Sequence, residues 1–251
     1  MLQEPFAIGN SFVHRRDPRI RLLSACLYSV TVAISNTFQG LAAAITVSFI
    51  LMALARLPFG TVAKRIVLLN GFMVLLWLII PLTFEGTVSY RIGPFIVYHK
   101  GIVLAALITL KSNAILLVII ALVATMNFST LGFALYWLRV PNKLVYMMLM
   151  TYRYVFVISH ELQRMLRAIK IRGFRPRTNL HTYKTYAYLM GMLLVRSSHR
   201  AERVYKAMIC RGFKHKFYCL YEFEADRRDW IFGGVMGGIV LAMAYLEWFY
   251  N

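Results

Sequence analysis

Acidic side chains are scarce in this chain: 10 Asp and Glu stand against 29 Lys and Arg in 251 residues. Its long apolar stretches hold almost no carboxylates, Glu247 near the C-terminal end being the exception. A proton relay, a cation channel or a membrane enzyme needs several ionisable groups along one path, so this scarcity argues against all three. No G-x-x-x-x-G-K-[ST] phosphate loop occurs, and the chain is not expected to hydrolyse ATP. The six histidines, at 14, 99, 160, 181, 199 and 215, include no metal-type helical pair, so no metal site is expected. Cysteine is limited to Cys26, Cys210 and Cys219, an odd set without zinc spacing. Such a set reads as reduced thiols, with neither a disulfide framework nor a zinc site.

What the chain has in quantity is apolar surface. It is 59% hydrophobic with a mean hydropathy of +0.60, above the ~45–50% of ordinary soluble domains, and reads as a membrane protein. Apolar segments lie at 20–35, 41–54, 66–84, 102–126 and 230–250. A span needs roughly 20 residues, and the first two short segments read as a helical pair turned at "NTFQG", giving about five spans. Asp17 and Pro18 in "DPRIRLL" supply an N-cap and a first helical residue for the first of them. Lys and Arg near span ends stay on the cytoplasmic side. Arg15, Arg16, Arg19 and Arg21 before the first span, and Arg56, Lys64 and Arg65 after the second, therefore place the N-terminus inside. The link with Gly86, Gly93 and Pro94 reads as a short external loop.

Positive charge then concentrates in one region, residues 139–229, with 19 Lys and Arg against 6 Asp and Glu. Here Val155, Ile158, Leu162, Met165, Leu166 and Ile169 recur at three- and four-residue steps, while Arg153, Glu161, Arg164, Arg167 and Lys170 take other positions. This is the pattern of a long amphipathic helix. A second helix, about 183–212, is apolar in "YAYLMGMLLV" and then carries Arg196, Arg200, Arg203 and Lys206. Its apolar part is too short to cross a bilayer. Both end alike, in "AIKIRGFRPR" and "AMICRGFKHK". Gly173 and Gly212 are placed as left-handed C-caps, with Arg172 and Arg211 at the negative end of each helix dipole. Spacing leaves two readings open: ordinary caps, or tips that place an arginine fork against carboxylates of a soluble partner.

Two intramembrane features stand apart. Lys111 lies mid-span, where a charge is expensive, and either holds a helix interface together or meets a membrane partner. In "GGVMGG", Gly233, Gly234, Gly237 and Gly238 form a smooth face for close helix packing, expected within the chain.

Nearly the whole chain resembles the transmembrane T components of energy-coupling-factor (ECF) importers, most closely the cobalt-type CbiQ family. The resemblance rests on "DPRIRLL", "VPNKLVYMMLMTYRYVFVISHELQRMLRAIKIRGF" and "YKAMICRGF". In that family two coupling helices each end in Ala-Arg-Gly. Here Ile171 and Cys210 replace the alanines, and the Arg-Gly pairs are intact.

Segments and resemblance together give an all-α, polytopic fold: four spans in 1–126, a coupling-helix region in 127–229 and a final span in 230–251. The resemblance implies ATPase docking through Arg172, Gly173, Arg211 and Gly212; the helical pattern adds Arg153, Glu161, Arg164, Arg167, Arg200 and Arg203 as supporting coupling-helix residues. The implied partners are two cytoplasmic ABC-type ATPases, which carry ATP and magnesium, and a membrane substrate-binding S subunit, which carries the cargo. No cofactor belongs to this chain. The lipid bilayer is its medium, and nucleic acid is not an expected partner. Cobalt is the expected cargo, with nickel or a vitamin as alternatives, and the expected location is a bacterial or archaeal plasma membrane with the coupling helices cytoplasmic. The competing class is a stand-alone carrier or channel built around Lys111.

Five spans with a cytoplasmic N-terminus place Asn251 outside. A cysteine introduced at the C-terminus should react with an impermeant maleimide added to intact cells; protection there would indicate a further crossing through "YAYLMGMLLV".

Overall fold

A computed structural model describes residues 11–83, 88–92, 95–214 and 226–250. Among these, eight α-helices and one hairpin occur: α1 (Pro18–Ile34), α2 (Phe38–Ala55), α3 (Phe59–Thr83), β1 (Val88–Ile92), β2 (Phe95–Tyr98), α4 (His99–Val118), α5 (Phe128–Trp137), α6 (Asn142–Ile171), α7 (Leu180–Cys210) and α8 (Arg227–Tyr250). A π-helical turn, Ile119–Val123, continues α4. The chain divides into two compact units, with the boundary inside α5: one takes 135–214, the other 11–134 and 226–250 of the described residues.

Among the described residues, four helices are long and apolar enough to cross a membrane: Phe38–Ala55, Phe59–Thr83, Lys100–Val123 and Arg227–Phe249. The chain is a multi-pass membrane protein. The expected first span is helical too, but α1 has 17 residues, at the short limit for spanning. Asp17 caps it, its carboxylate accepting from the Arg19 amide at 2.9 Å, and Pro18 opens it. The link expected as an external loop contains a short antiparallel hairpin, β1 against β2, with Ile92 opposite Phe95. Gly86, Gly93 and Pro94 lie outside the described residues.

α4 is the centre of the larger unit, packing against α1, α2 and α3, while α8 packs on α1. Polar side chains tie these apolar helices together, as they do where no water competes. Tyr28 of α1 donates to the Ala44 carbonyl at 2.6 Å and lies 2.8 Å from the Ser48 hydroxyl of α2. Asn70 and Asn113 exchange amide hydrogen bonds between α3 and α4 at 3.0 and 3.2 Å. At Gly101 the two helices nearly touch: a Cβ there would lie 2.7 Å from the Pro81 Cα. The glycine face on α8 is narrower than expected. A Cβ at Gly233 would meet Ile20 of α1 at 3.0 Å, but among the described residues nothing lies within 4 Å of such an atom at Gly234, Gly237 or Gly238. Of these four glycines, only Gly233 makes a close approach to another helix among the described residues.

Lys111 and Glu247 meet the same turn. The Lys111 Nζ donates to the Ala33 carbonyl and to the Asn36 Oδ1, both at 3.0 Å. The Glu247 carboxylate accepts from the Asn36 amide and the Ser35 hydroxyl at 2.6 Å and from the Thr37 hydroxyl at 2.8 Å. The lysine thus meets an unpaired carbonyl at the C-terminal end of α1, where a cation is favoured. These two contacts tie α4 to the end of α1, which accounts for the mid-span charge without a transport path.

Arg21 belongs with these, although its sequence position assigned it to the charged flank. It is 2% exposed, and its Nη2 donates to the Leu122 carbonyl at 2.7 Å and to the Thr125 hydroxyl. The π turn widens α4 here, its closing bond running from the Ala124 amide to the Ile119 carbonyl at 2.9 Å. Such turns displace the regular ladder, and the guanidinium takes up the carbonyl at this end of α4.

Arg21→Met should strand those acceptors in the core and lower unfolding stability by about 3 kcal/mol, read as a fall in melting temperature of the detergent-solubilised chain. Arg21→Lys should recover part of the loss.

Candidate functional site

The 135–214 unit is built from two long helices, α6 of 30 and α7 of 31 residues. Each stops at the same backbone device. After α6, the Gly173 amide donates to the Lys170 carbonyl at 3.1 Å and the Phe174 amide to the Ile169 carbonyl at 3.2 Å. After α7, the Gly212 amide donates to Ile209 at 2.9 Å and the Phe213 amide to Met208 at 3.1 Å. Both are Schellman closures. They require a left-handed residue, and Gly173 and Gly212 have φ of +81° and +77°. A side chain there would be strained by its backbone alone, since nothing else lies within 4 Å.

The phenylalanines that follow fix what the tips present. Phe174 turns back against Tyr186 of α7, ring centroids 5.8 Å apart and edge to face. Phe213 turns back onto Tyr146 of α6 at 5.7 Å, nearly parallel. Each ring is thereby anchored near the start of the opposite helix, leaving Arg172 and Arg211 exposed beside the exposed Ile171 and Cys210. These contacts, with Glu161 against Arg196 midway, make α6 and α7 antiparallel. The two tips stand at opposite ends of the pair, roughly one helix length or ~45 Å apart.

Glu161 holds the centre. Its carboxylate lies 2.6 Å from Arg196, 3.5 Å from Arg200 and 3.7 Å from Arg164. The hydrogen bond from Arg196, aided by the charges of all three arginines and opposed by partial desolvation, holds the Glu161 carboxyl below the usual glutamate range. Toward the α7 C-terminus the helices frame an apolar groove of about 410 Å³ whose walls include Met150, Val155, Ile158, Val204 and Met208.

A family model described as "Cobalt transport protein", CbiQ, matches residues 9–218. The chain belongs to the CbiQ family. It is 27% identical over 231 residues to the "Energy-coupling factor transporter transmembrane protein EcfT" of Bacillus subtilis (strain 168), covering 85% of each chain. A protein of the same name from Acidaminococcus fermentans is 27% identical over 254 residues, 96% of this chain and 94% of the relative. The relative from Leuconostoc gelidum is 26% identical over 265 residues, 98% of this chain and 97% of that protein. The CbiQ-family chain is thus a transmembrane transporter component and not an enzyme.

Of the supporting residues named from the sequence of this CbiQ-family chain, the fold gathers Glu161, Arg164 and Arg200. It does not gather Arg153, Arg167 or Arg203, which are exposed and, among the described residues, form no ion pair. Arg196, absent from that set, is the nearest partner of Glu161. The signal for it was present: Glu161 is the only carboxylate between Glu85 and Glu202, and Arg196 and Arg200 are four apart on one helical face. Tyr146 and Tyr186 were not identifiable, because an aromatic that receives a ring from another helix has no local pattern. Cys26 and Cys210 are free and exposed; Cys219 lies outside the described residues.

Because the folded carboxyl of Glu161 titrates below its unfolded value of ~4.3, its contribution is fully present above that value and is lost as pH falls through the folded pKa. Amide exchange around 158–164 and 193–200 should therefore quicken on acidification below about pH 4.5, and Glu161→Gln should remove most of that dependence while raising exchange at neutral pH.

Proposed function

We propose that this chain is the T subunit of an ECF importer whose Arg172-Gly173 and Arg211-Gly212 tips each dock one cytoplasmic ABC-type ATPase. Its spans hold a separate membrane S subunit that captures the cargo. ATP and magnesium bind the ATPases; cobalt is the preferred cargo, with nickel or a vitamin as alternatives. The reading places the chain in a bacterial or archaeal plasma membrane, with the N-terminus and coupling helices cytoplasmic.

The observation that carries it is the repetition of one closure at both ends of one antiparallel pair. A cap needs only the glycine. Here an identical hydrogen-bond pattern, an exposed arginine and a back-folded phenylalanine occur twice. Arginine's planar fork suits a carboxylate receptor, and two tips ~45 Å apart can engage two nucleotide-binding subunits separately. Ring anchors against the opposite helix give each tip a mechanical connection to the pair, so a displacement of one ATPase is passed into α6 and α7. Family membership supports the transporter context, and the resemblance to EcfT proteins supports the partner classes. Cobalt rests on the family description alone.

Purification of the chain from its native membrane in mild detergent should recover an ATPase and a small membrane protein, and elemental analysis of the latter identifies a metal cargo. Arg172→Ala or Arg211→Ala should lower ATPase recovery or uncouple hydrolysis from uptake by about tenfold or more, in line with loss of a charged hydrogen-bond pair, with the double variant worse. Normal uptake and recovery in both single variants would reduce the tips to helix caps.

A further inference from the structure

A second cationic site lies in the larger unit. It is an open recess of about 820 Å³ where the N-terminal segment, the C-terminal end of α2 and the start of α8 meet. Arg15, Arg16, Arg56 and Arg228 supply its charge. Two carboxylates also line it, but both are committed to the start of α8. Asp226 accepts from the Arg227 amide at 2.7 Å; Asp229 accepts from the Asp226 amide at 3.2 Å and from Arg16 at 3.3 Å.

Arg16 is further held over the Phe12 ring at 3.9 Å, and its Nε is buried without a hydrogen-bond partner. Among the described residues, Arg15, Arg56 and Arg228 have no carboxylate within 4.0 Å. Arg56 is the left-handed C-cap of α2, at φ 47°, so its position is fixed by the helix end.

The remaining wall is apolar. Ile50, Ala53 and Leu54 line the recess from one face of α2, and Ile50 and Leu54 are 54% and 43% exposed. Two candidate spans terminate here, one ending at Ala55 and the other beginning at Arg227. The recess therefore stands at the level where hydrocarbon gives way to headgroups, with its arginines on the polar side and its aliphatic wall running into the span.

A soluble anion would use the arginines and leave that wall bare. An anionic phospholipid uses both, and basic pockets between membrane helices select such headgroups. We propose that this recess binds an anionic phospholipid, its phosphate held by Arg15, Arg56 and Arg228 and one acyl chain lying along Ile50, Ala53 and Leu54. Arg16 is the positioning residue, fixing the N-terminal segment to α8 through Asp229.

The test is native mass spectrometry of the full chain, delipidated in detergent and titrated with phosphatidylglycerol or phosphatidylcholine. Phosphatidylglycerol should bind about tenfold or more tightly, and the triple variant Arg15→Gln/Arg56→Gln/Arg228→Gln should abolish that preference. A charge-matched control, Lys64→Gln/Lys143→Gln/Lys184→Gln, should keep it. Ala53→Trp, which fills the apolar wall with every charge in place, should also weaken phosphatidylglycerol binding and does not depend on the triple variant folding well. No preference between the lipids, equal binding by the two triple variants, or an unaffected Ala53→Trp protein would overturn the proposal. So would inorganic phosphate competing on equal terms with phosphatidylglycerol, which would make the recess a free-anion site.

Discussion

A bilayer offers no water to an unpaired backbone carbonyl, so each interruption of a helix must be closed by the protein itself. The larger unit meets this constraint with charged side chains reaching from one segment to another. Arg21 closes the π turn after α4, Lys111 covers a carbonyl at the end of α1, and Glu247 gathers the α1–α2 turn. Asp229 does the same at the start of α8 and engages Arg16. Within this unit the described carboxylates, Asp17, Asp226, Asp229 and Glu247, all lie at or near helix ends. Short helices become usable as a result, because the end of α1 is held by α4 and α8 and need not reach water.

The α6–α7 unit uses a different solution. Its helices end with glycine in the left-handed region and carbonyls satisfied by the next two amides. No long side chain is consumed in the closure, which leaves Arg172 and Arg211 outward. The phenylalanines then couple backbone closure to interhelical packing. The cap and the exposed arginine are consequently one structure, so the two readings open at the level of sequence are not exclusive.

Helices, caps and polarity were legible because they are local. Asp17 and Pro18 marked the start of α1, Gly173 and Gly212 marked the ends of α6 and α7, and the spacing of Val155, Ile158 and Leu162 gave a helical period. What escaped depends on pairing across the chain. Arg21 reads as one more flanking cation, since burial against Leu122 is set by a π turn a hundred residues away. The glycines of "GGVMGG" read as one packing face, and the close approach of Ile20 to Gly233 depends on where α1 lies, which the run itself does not encode. The α3–α4 link has turn residues in its sequence, and strand pairing of Val88–Ile92 with Phe95–Tyr98 carries no strong alternation. The choice of Arg196 over Arg167 or Arg203 follows from how α7 faces α6, which neither helix encodes alone.

The centre of the α6–α7 pair has an uneven stoichiometry: one carboxylate, three guanidiniums. Glu161 has two oxygens and three donors within 4.0 Å, and Arg196 and Arg200 sit one turn apart on the same helix. A single bidentate pair fixes the angle between two helices as well as their distance. Here Arg196 and Arg200 reach the carboxylate from α7, one turn apart, while Arg164 reaches it from its own helix, so the carboxylate stays paired even when one contact lengthens. The α6–α7 crossing is thus held at three levels: at its centre by a carboxylate with more donors than it has oxygens, and at each end by a phenylalanine packed on the opposite helix.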